Sequence, residues 1–203
     1  MKAMKQCCVV LLLALVSSSG WAFSLERYVE GVHYQKVEGG QPQPKAVVEF
    51  FSFGCPHCYE LEPKVEAWVK SKPEAVSFSR VPATWNQKFA VLGKLYYVIE
   101  ALGIEEKAVP AVFEYIHKQN KTITSREDAQ TLLTGLGLTP EAFNKAWNDP
   151  QVETNANTAG RIFAANQIRG VPAVVVNGQY QTSVSMAGSP EDLFEVVNFL
   201  LSK

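Results

Sequence analysis

Apolar positions divide this chain into a β-rich front, a helical middle and a β-rich end. The run Lys45-Ala46-Val47-Val48-Glu49-Phe50-Phe51-Ser52-Phe53 is short, β-branched and aromatic, follows the turn Gln41-Pro42-Gln43-Pro44 and stops at Gly54. It predicts a buried strand. Leu61, Val65, Trp68 and Val69 then recur at helical spacing, and that helix should fade near Ser71-Lys72-Pro73. Ala75 to Val81, closed by Pro82, predicts a second strand.

The period then changes. Phe89, Leu92, Leu95, Tyr96, Ile99 and Leu102 form one helical stripe, stopped by Gly103. Val109, Val112, Phe113 and Ile116 form another, in which Pro110 should be tolerable only in the first turn. Ser125-Arg126-Glu127-Asp128 starts a third helix in the manner of a capping box, with Ala129, Leu132, Leu133 and Leu136 inward. Thr139-Pro140-Glu141 starts a fourth, with a capping hydroxyl, proline at the first helical position and an acid at the positive helix end. Residues 151–168 predict a fifth with weaker periodicity. Ala173-Val174-Val175-Val176, Asn177-Gly178 and Gln179-Tyr180-Gln181-Thr182 predict a hairpin, since Asn-Gly suits a type I′ turn. Ser189-Pro190-Glu191-Asp192 caps a last helix whose inward residues are Leu193, Val196, Val197 and Leu200. The order is β-β-α-β, four or five helices, then β-β-α: an α/β fold with a helical insertion. Trp68, Trp85 and Trp147 read as core; His33 and His117 read as surface or packing residues.

The front of the chain carries a different pattern. Lys2 and Lys5 precede an apolar run from Cys7 to Val16, the polar stretch Ser17-Ser18-Ser19-Gly20 and then Trp21-Ala22. This reads as a signal peptide over residues 1–22, with small Gly20 and Ala22 before the cut. Ten apolar residues span about 15 Å, roughly half a bilayer core, so an anchor is disfavoured. Cys7 and Cys8 are not at the end of the run, where a lipidated cysteine would stand. Removal of 22 of the 203 residues leaves 181, and the loss of two lysines takes the formal charge from −1 to −3. The product should be soluble, exported and at work in an oxidising compartment.

At 47% hydrophobic and 19% charged, the composition excludes a disordered, collagen-like or coiled-coil protein. Near-neutral charge leaves no electrostatic footprint for nucleic acid. Of four cysteines, only Cys55 and Cys58 remain after cleavage. They sit at a strand–helix junction as Cys55-Pro56-His57-Cys58. Cys55 takes the N-cap and Pro56 the first helical position, so the free N–H groups of the first turn and the helix dipole both favour a Cys55 thiolate. Cys58, one turn on, can reach the Cys55 sulfur, and His57 can add a hydrogen bond or charge. A structural staple is a poor alternative, because closing so small a loop removes little unfolded-state entropy. A metal site would need further ligands, and the other histidines are His33 and His117, with no second Cys-x-x-Cys. A pair of inert core thiols is the third alternative. Redox chemistry fits a Cys-x-x-Cys beside an α/β pattern best.

Phe50-Phe51-Ser52-Phe53-Gly54-Cys55-Pro56-His57-Cys58-Tyr59, with Arg169-Gly170-Val171-Pro172-Ala173, resembles the DsbA family, the periplasmic thiol–disulfide oxidases of Gram-negative bacteria. Ala101-Leu102-Gly103-Ile104-Glu105 and Val176-Asn177-Gly178-Gln179-Tyr180 extend the likeness. The resemblance implies a thioredoxin-like fold with an inserted all-helical domain: 23–83 and 166–203 for the thioredoxin-like parts, 84–165 for the insertion. It implies a cis bond at Val171-Pro172 beside Cys55, with a backbone edge for an extended substrate. Glu49 and Glu62 match charged positions below the active site. Glu49, inside an apolar run, is the better candidate for moving the proton of Cys58, while Glu62 reads as solvated. The lysine that some members place on the next strand is replaced by Arg80-Val81-Pro82-Ala83, so no buried-charge scheme is carried over.

The implied activity is donation of a Cys55–Cys58 disulfide to unfolded exported proteins with free thiols. No bound cofactor is needed, the chain is expected to be a monomer, and a DsbB-like membrane quinone reductase is the implied re-oxidising partner. A reductase or isomerase is the same-chemistry alternative, though no dimerisation element is visible for an isomerase. A Cys/His metal-binding or delivery protein is the alternative of a different class.

Overall fold

The computed structural model describes residues 27–203; the expected signal peptide, with Cys7 and Cys8, lies outside them. Five strands form one sheet in the order β1-β5-β4-β2-β3, where β1 is Gln35–Lys36, β2 Ala46–Phe51, β3 Ser77–Pro82, β4 Ala173–Val176 and β5 Tyr180–Thr182. β2 runs parallel to β3 and antiparallel to β4, and β5 is antiparallel to both β4 and β1. The leading strand of the predicted order, to which the pattern attached no residues, is the two-residue β1.

Helix α1 (Pro56–Ser71) connects β2 to β3, and α2 (Gln87–Ala101), α3 (Glu105–His117), α4 (Arg126–Gly135), α5 (Pro140–Trp147) and α6 (Pro150–Ala165) all lie between β3 and β4. After the hairpin come a single turn, α7 (Val184–Ala187), which the pattern did not predict, and α8 (Pro190–Leu201). This is an α/β thioredoxin-like frame with a helical insertion.

The central strands are buried on both faces, which is why they read as apolar runs instead of alternating. Val47, Val174 and Val176 face Leu61, Val65 and Trp68 of α1 and Leu193, Val196, Val197 and Leu200 of α8. Phe50, Ala173 and Val175 face the inserted helices, where the Phe50 and Phe163 rings meet edge-on at 5.0 Å. Helix starts follow the capping residues: Ser125 and Asp128 form a reciprocal capping box, and Thr139 and Ser189 accept from Ala142 and Asp192.

Two expectations fail. α3 begins at Glu105, so Pro110 is inside the helix instead of in its first turn. Glu105 and Glu106 suit the positive helix end and draw the start forward. Trp85 is 50% exposed. It sits in the β3–α2 loop and lays its ring against Phe89 and Phe163 at 5.5 and 5.6 Å, on the rim of the core.

The hairpin turn is as predicted, with φ of 54° at Asn177 and 67° at Gly178. A Cβ on Gly178 would lie 2.1 Å from the Gln41 carbonyl oxygen, which belongs to backbone and cannot step aside cheaply. Gly178→Ala should therefore combine left-handed strain with a clash, a loss of roughly 2 kcal/mol or more. Urea unfolding of the variant measures it, and an unchanged midpoint would contradict this account.

Candidate active site

The sequence builds the site at the exit from β2. Cys55 is the N-cap of α1, with φ −94° and ψ 116°, and Pro56 holds the first helical position. Pro56 has no N–H, so the sulfur is offered to the donors that follow, and the Cys58 N–H reaches it at 3.3 Å. Pro56 and His57 are exposed, Cys55 is half-buried and Cys58 is fully buried. Both cysteines are free thiols in this structure.

Their environments push the two thiols apart. A hydrogen bond from the Cys58 thiol is the largest influence on Cys55; the backbone N–H groups of Cys58 and His57 and the His57 charge act the same way. Partial burial opposes them, and the net result is a Cys55 pKa lowered from 9.0 to about 6. Burial drives the Cys58 thiol strongly upward, helped by Cys55 and by the negative charge of Glu49. One sulfur is therefore available as an anion at neutral pH and the other holds its proton.

The late motif closes over this pair. The Val171-Pro172 bond is cis, and the Cys55 thiol donates to the Val171 carbonyl at 3.5 Å across 116 residues of sequence. A groove of about 820 Å³ opens beside it, bordered by His57, Gly170, Val171, Pro172, Gln181 and Ser183.

Beneath the dithiol lies a charge cluster that corrects the sequence reading. Glu49 and Glu62 are both buried, at 2% and 5% exposure, so Glu62 is not a solvated helix residue. Arg80 bridges them, its Nε donating to Glu49 and its Nη2 to Glu62, each at 2.7 Å. Arg80 pairs with Glu49 in the β2–β3 register, so both side chains project from the same face of the sheet toward α1. Sequence reasoning gave Arg80 no role, although the β2–β3 register places it directly opposite Glu49. One cation between two ionised carboxylates would leave a net negative charge in the core, which favours a proton on one of them. Burial, reinforced by Glu49, pushes the Glu62 carboxyl up to about 8, although Arg80 pulls it down.

The remaining histidines both bond to backbone groups. His33 Nδ1 accepts from the Val29 N–H at 3.0 Å, and His117 hydrogen-bonds the Phe53 carbonyl at 2.8 Å. Among the described residues, no group of three His, Cys, Asp or Glu side chains is placed to hold a metal ion, and no helix is long and apolar enough to cross a membrane.

Comparison with known proteins finds relatives across the chain. Residues 74–196 match the family described as a DSBA-like thioredoxin domain. The chain is 40% identical over 167 residues to the thiol:disulfide interchange protein DsbA of Azotobacter vinelandii, covering 82% of this chain and 78% of the relative. It is 33% identical over 204 residues to that of Pseudomonas aeruginosa PAO1, covering 98% and 97%. The crystal structure of Pseudomonas aeruginosa DsbA superposes with a TM-score of 0.81 at 34% identity, over 86% of this chain and 93% of that one.

Proposed function

This chain belongs to the DsbA family of thiol:disulfide interchange proteins, and from that premise we propose that Cys55 is the sulfur its substrates attack and Cys58 the buried partner. The family's activity is thiol:disulfide oxidation. In the oxidised form a substrate thiolate attacks Cys55 Sγ; the Cys55–Cys58 bond breaks as the substrate–Cys55 bond forms, and Cys58 takes up a proton. A second substrate thiolate then attacks the substrate sulfur of this mixed disulfide. Cys55 leaves as a thiolate, and two electrons have passed to the enzyme. A leaving thiol of low pKa departs faster, and stabilising the reduced form makes the couple more oxidising.

The observation that carries this assignment is the opposition of the two thiols, Cys55 lowered at a helix start and Cys58 raised in the core. Pro56 opens the helix at its first position, His57 contributes its backbone N–H and charge, and Val171 with Pro172 offers a backbone edge along the groove for an extended client. Glu49 acts on Cys58 electrostatically, and Glu62 holds a proton to about pH 8, so the cluster has a proton to give when Cys58 is released. Arg80, whose own pKa is raised, supplies charge and no proton. The clients are unfolded exported proteins with free thiols, met in the periplasm. A DsbB-like membrane quinone reductase removes the two electrons.

Alkylation of the reduced protein at pH values from 4 to 9 tests the assignment. Cys55 should react with a midpoint near 6 and be modified first at pH 5, with Cys58 protected throughout the folded range. Equal labelling of the two by mass spectrometry at pH 5 would defeat it.

A further inference from the structure

We propose that His117, at the far end of α3 in the inserted helices, is a positioning residue for Cys55: it fixes the orientation of the peptide unit just ahead of the nucleophile. The inference rests on the assignment of Cys55 as the reactive sulfur.

The loop between β2 and α1 contains one peptide unit joining Phe53 to Gly54. Its N–H end is tied locally, because the Gly54 N–H donates to Ser52 Oγ at 3.1 Å. Its carbonyl end is tied from a distance, because His117 Nε2 lies 2.8 Å from the Phe53 oxygen, 64 residues along the chain. A carbonyl oxygen only accepts, so Nε2 carries the proton and the tautomer of His117 is set by this contact. Among the described residues, the imidazole is the hydrogen-bond partner of this carbonyl.

The ring is held for this task. It stacks on Tyr59 with centroids 5.0 Å apart and planes 12° from parallel, and it leans on Phe113 at 6.1 Å. Phe113 in turn meets the Phe53 ring at 5.1 Å and lies against Tyr59 at 6.1 Å. Tyr59 donates its own N–H to the Cys55 carbonyl at 3.1 Å. His117 therefore touches the chain two residues before Cys55 and four residues after it. With Cys55 N–H donating to the Ser52 carbonyl at 3.0 Å, the whole approach to the sulfur is pinned.

The physical consequence concerns a dipole. While His117 holds the Phe53 carbonyl, its negative end points at the imidazole N–H and is not free to turn toward the thiolate. Loss of the donor leaves the peptide tied only through Ser52 and able to rotate. The Cys55 anion is then less well stabilised, and the couple becomes less oxidising.

Three variants separate the donor from the ring. Gln at 117 presents an amide N–H at a reach similar to imidazole Nε2 but cannot stack as a ring, Phe keeps the stack without a donor, and Ala removes both. Each is equilibrated with glutathione, and the alkylation of Cys55 is followed against pH. His117→Phe and His117→Ala should shift the glutathione equilibrium about threefold to tenfold toward the disulfide form and raise the Cys55 midpoint, the effect of losing one backbone hydrogen bond. His117→Gln should stay within about twofold of the parent. Folding is checked by circular dichroism and heat unfolding. A folded His117→Phe protein with the parent's equilibrium and Cys55 midpoint overturns the role of His117, as does a Gln variant shifted as far as the Phe variant. If Cys55 of the unsubstituted protein is not the first thiol labelled, the assignment beneath the proposal fails instead, and that outcome is visible before any variant is made.

Discussion

Cys55→Ser should lose all catalysed oxidation of a reduced, unfolded protein, while keeping its fold. The hydroxyl can occupy the N-cap and accept the Cys58 N–H much as the sulfur does, and serine is among the best N-cap residues. What it cannot do is form a disulfide with Cys58, so the substrate thiolate has no S–S bond to attack. The rate of disulfide formation in the client should fall to that of the uncatalysed reaction. Oxidase activity surviving in this variant would sink the mechanism. The companion substitutions at 58 sharpen the point. The Cys58 thiol is the largest single influence lowering Cys55. Cys58→Ser keeps a donor there and Cys58→Ala does not, so the Cys55 alkylation midpoint should stay low in the first and rise in the second, while neither turns over.

Removing the cation beneath the site should have the largest effect on stability. Arg80→Met leaves Glu49 and Glu62 buried side by side without their shared partner. Deleting one partner of a buried ion pair costs about 3–5 kcal/mol, which for a domain of this size lowers the unfolding temperature by roughly 10 °C. The penalty should be largest above pH 8, where Glu62 is ionised in the parent, and smaller below it, where Glu62 holds its proton. The parent protein carries a related slope. Glu62 releases its proton near its ordinary value of 4.5 when unfolded and near 8 when folded. Between those values the native state binds more protons than the unfolded chain, so stability falls as pH rises through that window and levels off above it. Glu62→Gln should flatten the slope. Thermal unfolding from pH 4.5 to 8.5 reads both effects, and an Arg80→Met protein as stable as the parent at pH 8 would refute the description of the cluster.

The sequence made the frame legible because its signals are local. β2, α1 and the Asn177-Gly178 hairpin depend on runs, caps and turn residues a few positions apart, and each lies within a few residues of its expected bounds. The dithiol was equally plain, since helix-start chemistry needs only Cys55, Pro56 and the turn that follows. What stayed hidden depends on register between distant segments. Glu62 looked like an ordinary polar helix position until α1 was laid over β2 and β3, which seals it against Arg80. Arg80 was passed over because a lysine was sought, although guanidinium, with two carboxylates to satisfy, is the better fork. Trp85 reads as core from its position flanking a helix, and its exposure reflects a loop that lies on the rim of the helices. The contact between His117 and Phe53 carries no spacing signal at all.

The order of the sheet has a consequence for synthesis. β4 occupies the slot between β2 and β5, yet it is among the last strands made, and the whole helical insertion is spoken for first. A growing chain presents Cys55 and Cys58 more than a hundred residues before the Val171-Pro172 loop exists to close over them. Until β4 pairs with β2, the strand that leads into the dithiol has an open edge on that side, and the groove beside Cys55 has no second wall. High sequence separation of this kind slows folding. For this enzyme it also means that the power to oxidise other chains is acquired at the end of its own emergence, once the segment from 171 to 182 is in place.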